Sequence, residues 1–130
     1  MNTLVLEGAK YGIRVNALAP TAGTRMTEDV IPEAAYQLLT PESVTAGALT
    51  LCHEDAPNRM ILCAGAGGFS STRLFETEGV FLAPSLQTPE AVVENMQIIC
   101  DTSNQSELEA GPKQSEKFAL MAMGYLQSQQ

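Results

Sequence analysis

The sequence predicts an α/β fold that contains one β-α-β unit and continues into a helical extension. Residues 12–19 and 59–64 are short segments rich in aliphatic side chains, the pattern of buried parallel strands. Between them, the segment that begins at Thr40 has apolar residues spaced three or four positions apart, as in an amphipathic helix. A strand, a helix and a second strand in this order make a crossover unit whose strands are parallel.

A helix is predicted ahead of the first strand, with residues 2–7 as its last turns. It ends at Gly8 or shortly after, near Lys10-Tyr11-Gly12. The first strand is predicted from Gly12 to Ala19, and Pro20 ends it because proline has no N–H for the ladder. The loop from Thr21 to Pro32 then follows the carboxyl end of this strand, where open α/β sheets bind ligands.

The crossover helix begins at Thr40-Pro41-Glu42, because the hydroxyl can cap, proline suits the first position and glutamate suits the positive helix end. The second strand is predicted over Arg59–Ala64. The glycine-rich run 65–68 after it is interpreted as a flexible strand-to-loop turn. The predicted inner face of the helix consists of Val44, Ala48, Leu51 and Cys52.

The rest of the chain is predicted as an irregular segment, residues 70–86, and two helices. Thr88-Pro89-Glu90 repeats the helix-start pattern, and residues 107–114 are predicted as a linker. The last helix is predicted to begin at Ser115. The chain therefore divides into an α/β part, residues 1–69, and a largely helical part, residues 70–130. The predicted apolar faces are Val92, Met96, Ile99 and Cys100 in one helix and Phe118, Met121, Ala122 and Tyr125 in the other.

Composition argues against two classes of partner. The formal net charge is −8 and the pI is near 4.4, whereas nucleic-acid binding depends on lysine and arginine. No apolar run approaches the roughly 20 residues of a membrane span. Cys52, Cys63 and Cys100 lie in apolar sequence and far apart, so we expect buried, reduced thiols and a cytoplasmic location.

Several familiar catalytic and metal-binding patterns are incomplete. Cys52-His53 lacks a second cysteine within four residues, so no zinc site is predicted, and His53 is expected at an exposed helix end. The run from Gly65 to Ser70 has serine where the dinucleotide fingerprint needs its last glycine. No glycine-x-serine-x-glycine elbow occurs. The residues of this chain therefore predict no catalytic group and no metal.

One segment resembles the short-chain dehydrogenase/reductase family. It is Leu6-Glu7-Gly8-Ala9-Lys10-Tyr11-Gly12-Ile13-Arg14-Val15-Asn16-Ala17-Leu18-Ala19-Pro20, which is similar to the family's passage from its active-site helix into its sixth strand. The resemblance covers roughly residues 2–103. It implies that residues 1–69 are the C-terminal portion of a Rossmann-type doubly wound parallel sheet.

Other segments are similar to one subgroup, the (3R)-hydroxyacyl-CoA dehydrogenase units of peroxisomal multifunctional enzymes of type 2. These segments are Thr21 to Thr27, Gly65-Ala66-Gly67, Thr88 to Val92 and Ile99-Cys100-Asp101. The resemblance implies NAD or NADP as the cofactor of the complete fold and a hydroxyacyl or related alcohol as the substrate.

The resemblance also implies which residues face the cofactor. In the family, the segment after the sixth strand holds the nicotinamide carboxamide through backbone groups and a hydroxyl. By position, Met26 and the residues after it would lie over the substrate. Thr21 stands where most of the family has glycine, so the turn there can differ. The implied cofactor-binding residues are Pro20, Thr21, Ala22, Gly23 and Thr24.

The family's phosphate-binding glycine loop, active-site serine and Tyr-x-x-x-Lys pair have no counterpart in these residues. The chain alone is therefore predicted to be inactive and to bind no cofactor, and an N-terminal half is a possible missing partner. Tyr11, Tyr36 and Tyr125 are followed four positions later by Val15, Thr40 and Gln129.

Two other functions remain open. The chain can be a stand-alone, non-catalytic module that forms oligomers or binds a partner, or a remnant that binds acyl-CoA or a nucleotide. A two-stranded parallel unit leaves both strands with an exposed edge, and the second strand is the outer one in the family. We therefore predict a homo-oligomer that makes its contact through Val44–Cys52 and Met60–Cys63. The alternative is that the helices from Pro89 and Ser115 fold back over the open edge within one chain.

Overall fold

The computed structural model describes residues 1–129 and contains two compact units, residues 1–73 and a second unit that begins at Leu74. No helix within residues 1–129 is both long and apolar enough to cross a membrane. The first unit contains α1 (Asn2–Ala9), β1 (Ala17–Pro20), α2 (Glu33–Tyr36), a 3-10 turn (Pro41–Val44), α3 (Thr45–Cys52), β2 (Ile61–Gly65) and β3 (Gly68–Thr72). The second contains β4 (Phe75–Glu76), a 3-10 turn (Pro84–Leu86), α4 (Pro89–Glu94), α5 (Met96–Ile99), β5 (Ser106–Glu107) and α6 (Gly111–Ser128).

The first unit contains the predicted β-α-β arrangement. β1 and β2 are parallel, with Ala17 opposite Ile61 and Pro20 opposite Ala64. The crossover between them includes α3, which packs closely on β2. A Cβ atom on the buried Gly47 of α3 would lie 3.2 Å from the Leu62 side chain. This close helix-sheet contact and the parallel pairing confirm the predicted α/β fold.

The first strand begins five residues later than predicted, because Gly12 ends the preceding helix instead of starting the strand. Gly12 has a φ of 68°, a conformation that glycine adopts without steric cost. Its N–H donates to the carbonyl of Ala9 at 3.1 Å, and the N–H of Ile13 donates to the carbonyl of Gly8 at 3.1 Å. These two bonds form a Schellman motif. Pro20, predicted to follow the strand, is its last residue.

The predicted flexible turn and the first three residues of the predicted irregular segment were wrong, because residues 61–72 form a β-hairpin. Apart from β4, residues 73–83 contain no helix or strand, as predicted. Ala66 and Gly67 both have positive φ, 47° and 78°, as a two-residue type I′ turn requires. β3 runs antiparallel to β2, with Gly65 opposite Gly68. The sheet therefore has three strands in the order β1-β2-β3. β2, predicted as an outer strand, is the central one.

Both predicted helix starts are confirmed. The Thr40 hydroxyl accepts the N–H of Ser43 at 3.3 Å, and the Thr88 hydroxyl accepts the N–H of Ala91 at 3.2 Å. The helix that begins at Pro89 is interrupted at Asn95, whose side-chain amide donates to the carbonyl of Ala91 at 2.8 Å. This side chain competes with the backbone for a helical acceptor, which separates α4 from α5.

The prediction of a linker over residues 107–114 was wrong. Glu107 pairs with Phe75 in the two-stranded sheet formed by β4 and β5, and α6 begins at Gly111. Pro112 lies in the first turn of α6, where its missing N–H costs nothing. Tyr125 of the predicted apolar face packs against Phe81, with ring centroids 5.4 Å apart.

The predicted apolar faces are only partly covered. Cys52 and Cys100 are exposed and Cys63 is half-buried, so the prediction of three buried thiols was wrong; all three are free. Cys52 follows Val44 by eight positions, which turns it about 80° from the sheet-facing side of the helix. Half-buried residues of the predicted faces are Val44, Ala48, Leu51, Ile99, Met121, Ala122 and Tyr125, and exposed ones are Val92, Met96 and Phe118.

Candidate functional site

The predicted cofactor-facing segment, residues 20–24, leaves the sheet at the carboxyl end of β1. We call residues 21–32, which continue from this strand, the β1 loop. Beside them lies an open depression of about 390 Å³, at the sheet edge where α/β proteins bind ligands. The depression is lined by Thr21, Leu39, Cys63, Ala64, Gly65, Gly68, Phe69 and Ser70.

A hydrogen bond and a close backbone contact hold the β1 loop against β2. The N–H of Thr21 donates to the carbonyl of Ala64 at 2.8 Å. A Cβ atom at Gly65 would lie 2.7 Å from the carbonyl oxygen of Thr21, a distance that real Cβ atoms do not reach. Glycine at position 65 therefore allows the backbone of Thr21 to approach β2.

A second set of contacts holds the β1 loop against the end of α2 and the residues that follow it. The N–H of Gly23 donates to the carbonyl of Leu39. A Cβ atom at Gly23 would lie 3.0 Å from the carbonyl oxygen of Tyr36 and 3.1 Å from its ring. Gly23 therefore lies close to the Tyr36 ring while its N–H is bonded to Leu39. A larger residue at this position would push the ring away or break the hydrogen bond.

A third set of contacts is internal to the β1 loop and involves Thr27. This residue follows Met26 in the segment expected over the substrate, but the sequence prediction gives it no individual role. Thr27 Oγ1 accepts the N–H of Thr24 at 2.9 Å and lies 3.0 Å from the carbonyl oxygen of Thr24 and 3.4 Å from that of Ala22. A threonine that bonds the backbone a few residues away is a common turn device. The spacing Thr24-x-x-Thr27 was the available sequence signal.

Because of these internal contacts, few polar groups of residues 20–24 are available to a ligand. The N–H groups of Thr21, Gly23 and Thr24 are bonded internally, and Pro20 has none. Within residues 1–129, the N–H of Ala22 and the hydroxyls of Thr21 and Thr24 make no hydrogen bond. Met26, the predicted substrate contact, is 90% exposed. The segment therefore offers one N–H and two hydroxyls, beside the carbonyls of Thr21 and Gly23.

A second cluster of polar residues lies at the end of α3. The ligand atoms of His53, Glu54 and Asp55 lie within 4.8 Å of one another, and all three residues are exposed. His53 is the C-terminal cap residue of α3, at the helix end predicted for it. Its Nδ1 accepts the N–H of Asp55 at 3.2 Å. The exposed cluster therefore serves the local turn, and nothing encloses it as a metal site would require.

The second unit has a charged cluster that joins α6 to β4. Lys117 Nζ lies 3.0 Å from Glu76 Oε2 and donates to the carbonyl of Thr77 at 2.9 Å. Gln114 Nε2 donates to Glu76 Oε1 at 2.7 Å. These contacts, that of Gln114 first, hold the pKa of Glu76 below its ordinary value. Each group is satisfied inside the unit, so we assign the cluster a structural role.

Comparisons with known proteins identify relatives, although no family model matches the chain. The chain is 44% identical over 108 residues to mouse peroxisomal multifunctional enzyme type 2, a match that covers 81% of this chain and 15% of that enzyme. It is 46% identical over 80 residues to a putative short-chain type dehydrogenase/reductase of Mycobacterium tuberculosis. This match covers 61% of this chain and 28% of the mycobacterial protein.

A solved structure agrees with these sequence matches. The structure of full-length peroxisomal multifunctional enzyme type 2 from Drosophila melanogaster superposes with a TM-score of 0.70 at 25% identity. The match covers 94% of this chain and 23% of that one. The chain thus spans less than a third of the length of each of these relatives.

Proposed function

This chain belongs to the short-chain dehydrogenase/reductase family, as a C-terminal part of that fold, and from that premise we propose that it forms one wall of a nicotinamide site. The complete enzyme would transfer a hydride between NAD or NADP and a hydroxyacyl or related alcohol substrate. Residues 20–24 would face the cofactor, and Met26 would face the substrate.

The observation that carries this proposal is the set of polar groups that residues 20–24 leave unused. A carboxamide has one acceptor oxygen and two N–H donors. The N–H of Ala22 can donate to such an oxygen, and the carbonyls of Thr21 and Gly23 can accept from the amide nitrogen. The Thr24 hydroxyl can do either. A nicotinamide cofactor would supply the hydride carrier at this position, and the residues present fit its carboxamide.

The proposal assigns proton transfer and phosphate binding to residues outside this chain. None of its tyrosines has a lysine four positions later, so the family's Tyr-x-x-x-Lys pair, which would supply the proton donor, has no counterpart in this chain. The 130-residue chain alone is therefore proposed to be inactive and to require an N-terminal half.

A hybrid enzyme tests the proposal. The part of the mycobacterial relative that precedes the matched segment is joined to this chain, and oxidation of a hydroxyacyl thioester is followed through NADH or NADPH absorbance. We expect turnover by the hybrid and none by the isolated chain. The mycobacterial protein is assayed first, with the same thioesters and both cofactors, to choose the assay for the hybrid. Its N-terminal part alone is the negative control. A folded hybrid without activity contradicts the proposal, as does turnover by the purified 130-residue chain.

Two substitutions in the hybrid test the residue assignments separately. Thr24→Val removes the exposed hydroxyl, so we expect the KM for the cofactor to rise several-fold, the equivalent of one hydrogen bond of about 1 kcal/mol. Met26→Ala should instead raise the KM for the acyl substrate and leave that for the cofactor unchanged. Identical effects of both variants on both constants contradict the assignment.

A second candidate function, association with a further copy of the chain, is favoured by the exposure of large apolar side chains. In α3, Leu49 is 66% exposed, and all of β3 is exposed. The predicted interface included Met60–Cys63, but β3 covers the outer edge of that strand. We therefore propose that the homo-oligomer forms through Val44–Cys52 and β3. Light scattering should report a dimer or larger species at micromolar concentration, and Leu49→Lys should shift it towards monomer; a wild-type monomer contradicts the proposal.

The cellular location remains a separate proposal. We propose a cytoplasmic location because all three cysteines are free, whereas the mouse and Drosophila relatives carry the word peroxisomal in their names. Fluorescence microscopy of the native protein with a peroxisomal marker distinguishes the two compartments, since a punctate overlap with the marker contradicts the proposal.

A further inference from the structure

We infer that Thr27 is the positioning residue of the cofactor-facing segment. Its hydroxyl fixes the backbone of residues 22–24 so that the N–H of Ala22 and the hydroxyl of Thr24 stay available to a ligand. The inference rests on the proposed function, because it concerns the same site. It adds a role for a side chain that contacts the protein and not the cofactor.

The hydrogen-bonding capacity of Thr27 supports this role. A hydroxyl has one donor and two acceptor positions. Thr27 Oγ1 accepts the N–H of Thr24 at 2.9 Å, and its single proton is then directed to the carbonyl of Thr24 at 3.0 Å or that of Ala22 at 3.4 Å. One half-buried side chain therefore bonds both sides of the segment.

The backbone around Thr24 reinforces this arrangement. The carbonyl of Thr24 also accepts the N–H groups of Thr27 and Glu28, at 2.8 and 3.1 Å. Both the N–H and the carbonyl of Thr24 are thus satisfied inside the β1 loop, and the N–H of Gly23 is bonded to Leu39. Of these neighbours, Ala22 alone keeps its N–H for a ligand. The direction of that N–H depends on the peptide planes that Thr27 holds.

Without the Thr27 hydroxyl, the N–H of Thr24 loses its internal acceptor, and residues 22–24 become free to adopt other conformations. The segment must then be ordered when the ligand binds, and this ordering lowers affinity without removing any contact to the ligand. The expected kinetic signature is a raised KM for the cofactor with a much smaller change in kcat.

Three substitutions in the hybrid enzyme test the inference. Thr27→Val keeps the shape of the side chain and removes the hydroxyl, so we expect the KM for the cofactor to rise about fivefold to tenfold. Thr27→Ser restores the hydroxyl and should stay within about twofold of the unsubstituted hybrid. Thr77→Val is the matched control, since the Thr77 hydroxyl, on a residue that is also half-buried, donates to the carbonyl of Ile99 at 2.6 Å in the second unit. It should leave the KM for the cofactor unchanged.

A second readout needs no activity. Amide hydrogen exchange in the 130-residue chain should speed up about tenfold at Thr24 in Thr27→Val, but not in Thr27→Ser or Thr77→Val. Equal KM values for Thr27→Val and the unsubstituted hybrid overturn the inference and leave the proposed function standing, whether or not exchange changes. An unchanged exchange rate at Thr24 also overturns it. A folded but inactive unsubstituted hybrid overturns the proposed function and the inference together.

Discussion

The two units of the chain are stabilised by different kinds of contact. In the first unit, backbone hydrogen bonds join three strands into a sheet. Glycines at positions 23, 47 and 65 allow backbones and side chains to approach closely. In the second, β4 and β5 are two residues long each, and the side chains of Glu76, Gln114 and Lys117 join them to α6. The stability of the first unit should therefore depend on small changes in side-chain volume, and that of the second unit on changes in side-chain charge.

The largest expected effect is that of Gly65→Ala in the first unit. The new Cβ atom would lie 2.7 Å from the carbonyl oxygen of Thr21, which is a backbone atom of a residue bonded to β2 through its own N–H. We expect a loss of about 1–3 kcal/mol in the stability of the first unit. Residue-resolved hydrogen exchange should show the loss at β1 and β2 and none at α6. Unchanged protection of β1 would mean that the β1 loop yields more easily than the structure indicates.

A smaller effect is expected for Glu76→Gln in the second unit, about 1 kcal/mol at pH 7. The pKa of Glu76 is lowered in the folded chain from its ordinary value of 4.5. Such a group stabilises the fold fully above pH 4.5, and this contribution is lost as the pH falls through the lowered pKa. Asp101, whose pKa Ser103 lowers, acts in the same direction.

Thermal unfolding between pH 7 and pH 3 checks this prediction. The wild-type chain should lose stability in the second unit below pH 4.5, and Glu76→Gln should lose less over the same interval. Glu94→Gln, at an exposed carboxylate of α4, removes the same charge and is the control. Parallel pH profiles for wild type and Glu76→Gln would contradict the assigned role of the cluster.

The smallest expected effect is that of Gly124→Ala in α6, and its sign is opposite to that of Gly65→Ala. A Cβ atom at Gly124 meets nothing within 4 Å, and alanine is the better helix former. We expect a gain of about 0.5–1 kcal/mol, seen as a higher midpoint in chemical denaturation followed by helix circular dichroism. A loss of stability would show that the space around Gly124 is used by a contact.

The parts of the fold that were predictable depend on local signals. Thr40 and Thr88 cap helices because a hydroxyl three residues before a free N–H suffices, whatever the rest of the molecule does. The β3 hairpin was missed because its turn is Ala66-Gly67, and alanine with positive φ is unusual. We predicted the start of β1 too early, because a glycine such as Gly12 is compatible both with a strand and with the end of a helix.

The same distinction applies to the candidate site. Residues 20–24 are contiguous and follow a predicted strand, so their common location was predictable from the resemblance. The roles of Gly65 and Leu39 were not, because they depend on contacts with Thr21 and Gly23 across 44 and 16 positions of the chain. Spacing in the sequence carries no information on which backbones approach each other at such distances.

The Ala66-Gly67 turn also has a consequence for the order in which the protein folds. It joins β2 to β3 through partners only 3 to 11 positions apart, whereas β1 and β2 pair residues 44 positions apart. Hairpins form in roughly 1–10 μs, and long loops close at a greater entropic cost. We expect pulse-labelled amides of β3 to be protected before the N–H of Thr21. The proposed cofactor-facing segment, which follows β1, is therefore expected to be the last part of the sheet to become ordered.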